Sequence, residues 1–192
     1  GRLAEHYDDA ARMWGNQQRA VEVTESIARA LRRVIRRMVG ESKDDPKIVD
    51  IGCGNGLFAE ALVGEGQVVG VDISKQMLKL AGEKGVIPVW ASGTDLPFRD
   101  ATFDSALMIE VIQLFDDPRD FVREAIRVTK PGGIIIVSTL NSASVLRRLN
   151  RGLRTSSIPT KTKLRSVSEV VDLFAGLDCV LHQVGWVMGP FQ

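Results

Sequence analysis

The chain is poor in anything that would tie it together covalently. Cys53 and Cys179 are its only cysteines, one inside a glycine-rich loop and one in an expected late strand, which argues against a disulfide framework and against a cysteine-built metal centre. No apolar run approaches the roughly twenty residues of a membrane-spanning helix, and the amino terminus has no signal-like pattern. A cytoplasmic setting is the expectation. Charge of either sign is not in excess either: the formal net charge is +1, so no global field favours nucleic acid or an anionic membrane. At 192 residues and 44% hydrophobic content, the chain can fill one core but not two ordinary ones.

What is present centres on K-I-V-D-I-G-C-G-N-G, Lys47 to Gly56. Ile48, Val49 and Ile51 form a short apolar run punctuated by Gly52, Gly54 and Gly56, which reads as a buried strand breaking into a tight turn and then a helix to about Val63. Three glycines at alternate positions allow positive φ angles and let a ligand approach the main chain, whose N–H groups are the expected contacts. The spacing D-x-G-x-G-x-G differs from the dinucleotide pattern G-x-G-x-x-G. Asp50, at the carboxyl end of the strand, would repel a pyrophosphate and suits an ammonium or sulfonium group.

Further elements follow in order. Gln67 to Val71 form a second strand ending at Asp72, where a carboxylate can accept from the hydroxyls of an adenosine ribose. NAD-binding folds use the same device. Ile73 is placed to pack on the base, and Ser74 is an N-cap for a helix through Ala81. Val86 to Ala91 read as an edge strand because of Pro88, and Ser105 to Ile109 as a fourth strand. Its end carries Glu110, Val111 and Gln113, which line the crevice where open α/β sheets place ligands. Asp117 caps a helix with Pro118 in its first turn. Lys130-Pro131-Gly132-Gly133 turns the chain into a fifth strand, expected to be buried on both faces because its apolar run is unbroken. Ser166 and Glu169 form a capping box for a helix to about Ala175, and Cys179 to Val187 read as a sixth strand.

The ordered set V-D-I-G-C-G-N-G, Asp72, G-T-D-L-P-F and R-V-T-K-P-G-G-I-I-I-V-S-T resembles the class I S-adenosylmethionine (SAM) dependent methyltransferases over roughly residues 48–140. The resemblance is to the small-molecule type, similar to the ubiquinone and menaquinone pathway enzymes. It implies a Rossmann-like, doubly wound α/β sheet in the order 3-2-1-4-5, with a sixth and usually an antiparallel seventh strand, and helices on both faces. It implies SAM as cofactor and S-adenosylhomocysteine as product. The cofactor site so expected comprises Asp50, Gly52, Cys53, Gly54, Gly56, Asp72, Ile73, Asp95, Leu96 and Glu110. In the family the Asp95 equivalent accepts from the adenine amine and the Leu96 N–H serves a ring nitrogen; the plainer reading is that Asp95 caps a turn. No metal is implied.

Many relatives carry histidine where this chain has Gln113, which cannot take a proton at neutral pH. Glu110, Gln113 and His6 are the remaining catalytic candidates, with His182 read as structural. No N-P-P-Y motif or proline-cysteine pair is present, so base methylation of nucleic acid is not expected and a small acceptor is, hydrophobic or quinone-like.

One domain over 1–192 is expected, divided into a lid and helix at 1–40, a SAM-binding core at 41–140, a basic segment at 141–165 and a last helix and strand at 166–192. Tyr7 and Trp14 either close over the cofactor or anchor the first helix, which spans Gln17 to Val39 and ends at Gly40. Its stripe Arg29, Arg32, Arg33, Arg36 and Arg37 reads as a solvated face. Arg147, Arg148, Arg151, Arg154, Lys161, Lys163 and Arg165 make 145–165 either a solvated substrate segment or a peripheral membrane contact. The chain stops at Gln192, before any seventh strand, which implies a cut end or a shorter sheet. The alternatives are a non-catalytic SAM-binding protein and, further off, an NAD-type oxidoreductase.

Overall fold

The computed structural model describes residues 45–139 and 163–180, with Arg29 and Arg33 exposed on a helix. His6, Tyr7, Trp14, His182 and residues 140–162 lie outside the described residues.

Five parallel strands form one sheet in the order β3-β2-β1-β4-β5: β1 Lys47–Ile51, β2 Gln67–Asp72, β3 Ile87–Trp90, β4 Phe103–Ile109 and β5 Thr129–Ser138. This is the expected order. Strand side chains alternate between faces, and β1 accordingly feeds two cores. Ile48 joins Leu62, Val68, Leu78, Ala81 and Leu107 on one face, while Val49 and Ile51 join Val71, Phe121, Val122, Ala125 and Val128 on the other. Helix α1 (Lys75–Glu83) covers the first face and α2 (Arg119–Val128) the second. Every residue of β4 is buried, as a central strand covered on both sides must be. Pro88 sits in β3 at the sheet edge, as expected, because an edge strand can dispense with one donor.

Several boundaries differ from expectation. The helix expected from Gly56 to Val63 is only a 3₁₀ turn, Ala59–Leu62. Gly56 and Gly64 bracket too few residues to repay helix nucleation. The N-cap of α2 is Pro118 rather than Asp117; the Asp117 carboxylate still accepts the Arg119 amide at 3.2 Å. Lys130 to Gly133 do not precede β5 but bulge within it, since Phe103 pairs with Thr129 and Ser105 with Ile134. β5 is half-buried, not enclosed on both faces, because it is the outermost strand among the described residues. The last helix, α3, is Val167–Asp172, opened by the expected capping box, and Cys179 and Val180 are exposed and not in a strand.

Candidate functional site

β1 and β4 are neighbours with β2 and β5 on opposite sides, so the carboxyl ends of β1 and β4 flank the point where the chain's winding reverses. Open α/β sheets bind ligands there. The loop leaving β1 has Gly52, Gly54 and Gly56 all at positive φ, 79°, 54° and 73°. Their roles are distinct. A Cβ on Gly52 would lie 2.4 Å from the Val111 side chain, and one on Gly56 2.9 Å from the Ala81 backbone, whereas one on Gly54 would meet nothing within 4 Å. Gly52 and Gly56 serve packing, and Gly54 faces open space.

Five of the loop's amides are spent inside the protein. Gly52 and Cys53 both donate to the Val71 carbonyl, at 2.8 and 3.0 Å, and Gly56 donates to the Cys53 carbonyl at 3.0 Å. Gly54 donates to Asp72 Oδ2 at 2.9 Å and Leu57 to Asn55 Oδ1 at 3.2 Å. The expectation that a ligand rests on these N–H groups is therefore narrowed: these five donors are occupied, the Asn55 amide is not among them, and no α-helix starts behind the loop. A phosphate cradle needs free amides. This loop offers room with most of its amides already paired.

Two carboxylates supply negative charge instead. Asp50 is 2% exposed, and its Oδ1 has no hydrogen-bond partner among the described residues. Burial first, and the charge of Asp72 second, push its pKa up to about 7. Asp72, at the tip of β2, accepts from the Gly54 amide through Oδ2 and from the Ser74 amide through Oδ1, each at 2.9 Å. A carboxylate carries about four acceptor sites, and these two amides fix its direction. Ile73 is half-buried beside it, its carbonyl accepting from Trp90 Nε1. Cys53 departs from expectation: its thiol is buried against Gly70 and the α1-side core, with its pKa raised by burial, so only its backbone belongs to the loop.

On the other wall, Glu110 adopts φ 55° at the end of β4, a conformation that costs a non-glycine residue roughly 1–2 kcal/mol. Its Oε1 accepts from Ser138 Oγ at 2.7 Å and its Oε2 from Gln113 Nε2 at 2.9 Å, while Gln113 Oε1 accepts from Thr139 Oγ at 2.9 Å. These residues tie the ends of β4 and β5 together. Asp95 is exposed, in a turn where its amide donates to the Ser92 carbonyl at 3.1 Å. The Leu96 amide is not available to a base, because it donates to Glu124 Oε2 at 2.6 Å. Glu124 carries no signal of its own in the sequence, and Arg165 reads there only as one of a basic run. In the fold Arg165 is buried and donates to the carbonyls of Ile112, Phe115 and Asp116; the capping box beginning at its neighbour is the one local mark of order in that region. Among the described residues no cluster could hold a metal ion.

A parallel 3-2-1-4-5 sheet with a glycine loop between two strand-tip carboxylates defines a Rossmann-like α/β domain of the methyltransferase kind. Residues 49–137 match a family model described as a methyltransferase domain. The chain is 37% identical over 103 residues to the ubiquinone biosynthesis O-methyltransferase of Idiomarina loihiensis, covering 50% of this chain and 42% of that protein. It is 33% identical over 134 residues to the demethylmenaquinone methyltransferase of Corynebacterium kroppenstedtii, covering 67% and 58%. It thus spans about half the length of these curated relatives. A crystal structure of a SAM-dependent methyltransferase from Thermotoga maritima, titled a possible histamine N-methyltransferase, superposes with a TM-score of 0.65 at 28% identity, covering 85% of this chain and 76% of that one. Residues 49–137 are thus a methyltransferase domain, similar to those of the class I SAM-dependent enzymes.

The residues fit SAM. An orphaned, buried carboxylate oxygen at Asp50 and a loop with most of its amides already paired suit a cationic ligand, and the open space at Gly54 leaves room for it.

Proposed function

We propose that the protein transfers a methyl group from SAM to a small, hydrophobic, quinone-like acceptor. The observation that carries this reading is the pairing of Asp50, buried with an unsatisfied oxygen, with a glycine loop most of whose amides are already paired. That pairing suits a positively charged ligand and opposes a pyrophosphate, which lowers the NAD-type alternative. When bound, SAM supplies an activated sulfonium methyl that passes to the acceptor by direct displacement. Asp50 compensates the positive charge of the methionine end, Asp72 accepts from the ribose hydroxyls, and the turn from Ser92 to Asp95 faces the base. Holding reactants in line can contribute on the order of 7–11 kcal/mol to the rate, so the site needs no nucleophile of its own.

The acceptor enters from the side of Glu110 and Gln113. Both Glu110 oxygens already accept a hydrogen bond, so it serves first to orient groups and remains the nearest candidate to receive an acceptor proton. The quinone-like assignment rests on the relatives named for ubiquinone and menaquinone steps. Formation of S-adenosylhomocysteine with prenylated catechols and hydroquinones, against water-soluble phenols, tests it; turnover confined to the soluble phenols would contradict it. A non-catalytic SAM-binding role is the second reading, favoured by Gln113 standing where many relatives carry histidine. It predicts binding without turnover on any acceptor.

A further inference from the structure

The turn that carries Asp95 is gripped by two side chains that the cofactor reading does not use. Glu124 and Arg127 lie one helical turn apart on α2, and Arg127 Nε and Nη2 donate to the two Glu124 oxygens at 2.6 and 2.7 Å, a bidentate pair. The same guanidinium reaches the loop after β3. Nη2 donates to the Leu96 carbonyl at 3.0 Å, and Nη1 to the Phe98 carbonyl at 2.7 Å and the Asp100 carboxylate at 2.8 Å. Glu124 Oε2 in turn accepts the Leu96 amide at 2.6 Å. Leu96 is therefore held at both its N–H and its C=O by one ion pair.

The other end of this turn is fixed by packing. A Cβ on Gly93 would lie 2.3 Å from the Phe121 ring and 2.7 Å from the Ile51 side chain, so the backbone there is pressed against the end of β1 and the start of α2. Between these two anchors, Ser92 Oγ hydrogen-bonds Thr94 Oγ at 2.7 Å and accepts the Thr94 amide, and the Asp95 amide closes on the Ser92 carbonyl. Thr94 and Asp95 remain exposed. A simple surface ion pair contributes little to stability, but this one is bidentate and spends its remaining bonds on the Leu96 N–H and C=O, the Phe98 C=O and the Asp100 carboxylate of a single loop. Such an arrangement removes conformational freedom that binding would otherwise have to remove.

We propose that Glu124 and Arg127 are positioning residues for nucleobase recognition: by fixing the Leu96 peptide they hold the polar turn Ser92–Asp95 in place to read the cofactor's base. The inference rests on the SAM reading above. It places no contact between either side chain and the ligand, and it predicts a defect in base discrimination as well as in affinity.

The test is calorimetric titration of the full chain with S-adenosylhomocysteine and with its hypoxanthine counterpart, S-inosylhomocysteine, for the native protein, Glu124→Gln, Arg127→Lys and the exposed control Arg123→Ala. Arg123 pairs with Asp120 on the solvent side of α2. The two clamp variants keep side-chain volume and are read after a melting curve shows them folded. The expected result is an affinity for S-adenosylhomocysteine reduced about five- to tenfold, together with a reduced preference for adenine, in both clamp variants and not in the control. Folded clamp variants that bind both ligands as the native chain does would overturn the proposal. So would variants that lose melting temperature while keeping the native preference. A native chain that binds neither ligand would remove the SAM reading itself, a failure visible before any variant is measured.

Discussion

Asp72 Oδ2 accepts the Gly54 amide at 2.9 Å, so the tip of β2 is stapled to the one glycine of the loop that faces open space. Its other oxygen accepts the Ser74 amide, which opens α1. Asp72→Ala is expected to lose both bonds and destabilise the fold by at least about 1.5–3 kcal/mol, the usual worth of one hydrogen bond to a charged group. It is also expected to lose S-adenosylhomocysteine binding by at least about a hundredfold. Urea melts and calorimetry read the two effects separately.

Asp50 makes stability depend on pH with a definite sign. Its folded pKa of about 7 lies above the ordinary 3.8, so the folded state holds a proton that the unfolded chain has released. Its stabilising contribution is complete below pH 3.8 and is lost as pH rises towards 7, with no further loss above that. A rise of this size is worth on the order of 4 kcal/mol. Asp50→Asn should therefore raise the melting temperature of the ligand-free protein at pH 7.5 and leave it little changed near pH 4.

The same group links cofactor binding to protons. A cationic ligand favours the charged carboxylate, so SAM affinity should rise with pH from 6 to 8 and then level off. Below pH 7 binding should release a proton. Titrations of the native chain in buffers of different ionisation enthalpy measure that release.

The glycines separate folding from binding. Gly56→Ala places a methyl 2.9 Å from the Ala81 backbone at a positive φ and should unfold the domain or lower its melting temperature severely. Gly54→Ala meets no protein atom within 4 Å and should cost only the backbone strain, about 1–2 kcal/mol. Its cofactor affinity should nevertheless fall well below the native value.

Arg165 is buried with three carbonyl partners. Its pKa is lowered, first by burial. Arg165→Met should destabilise the protein by about 3 kcal/mol, because charge-assisted bonds worth about 1.5–3 kcal/mol each are lost while the cost of burying the charge is recovered. A denaturant midpoint measures this directly.

The sheet was legible because its strands announce themselves locally: Ile48 to Ile51, Val68 to Val71 and Ala106 to Ile109 are apolar runs ended by polar or glycine punctuation. The parallel order and the edge position of β3, marked by Pro88, followed. Asp50 and Asp72 could be placed at strand tips for the same reason. The partners of the loop amides could not. That Val71 C=O takes two amides and Asp72 a third depends on register across β1 and β2, about twenty residues apart, and this changes the loop from an open donor cradle to one with most of its donors paired. Leu96 failed similarly, because its amide belongs to Glu124 on α2, a pairing between helix and loop with no periodicity to reveal it. Cys53 turned inward because Gly70 leaves a gap for its thiol. Asp117 lost the N-cap position to Pro118, a shift of one residue that sequence signals do not resolve.

The most direct measurement is calorimetric titration of the native chain with SAM, S-adenosylhomocysteine and NAD at pH 7.5, repeated on Asp50→Asn and Asp72→Ala. A loop with most of its amides paired, set between two carboxylates, predicts micromolar binding of SAM and S-adenosylhomocysteine, no binding of NAD, and loss of the adenosyl ligands in both variants. A folded native chain that ignores SAM, or that binds NAD more tightly, would contradict it.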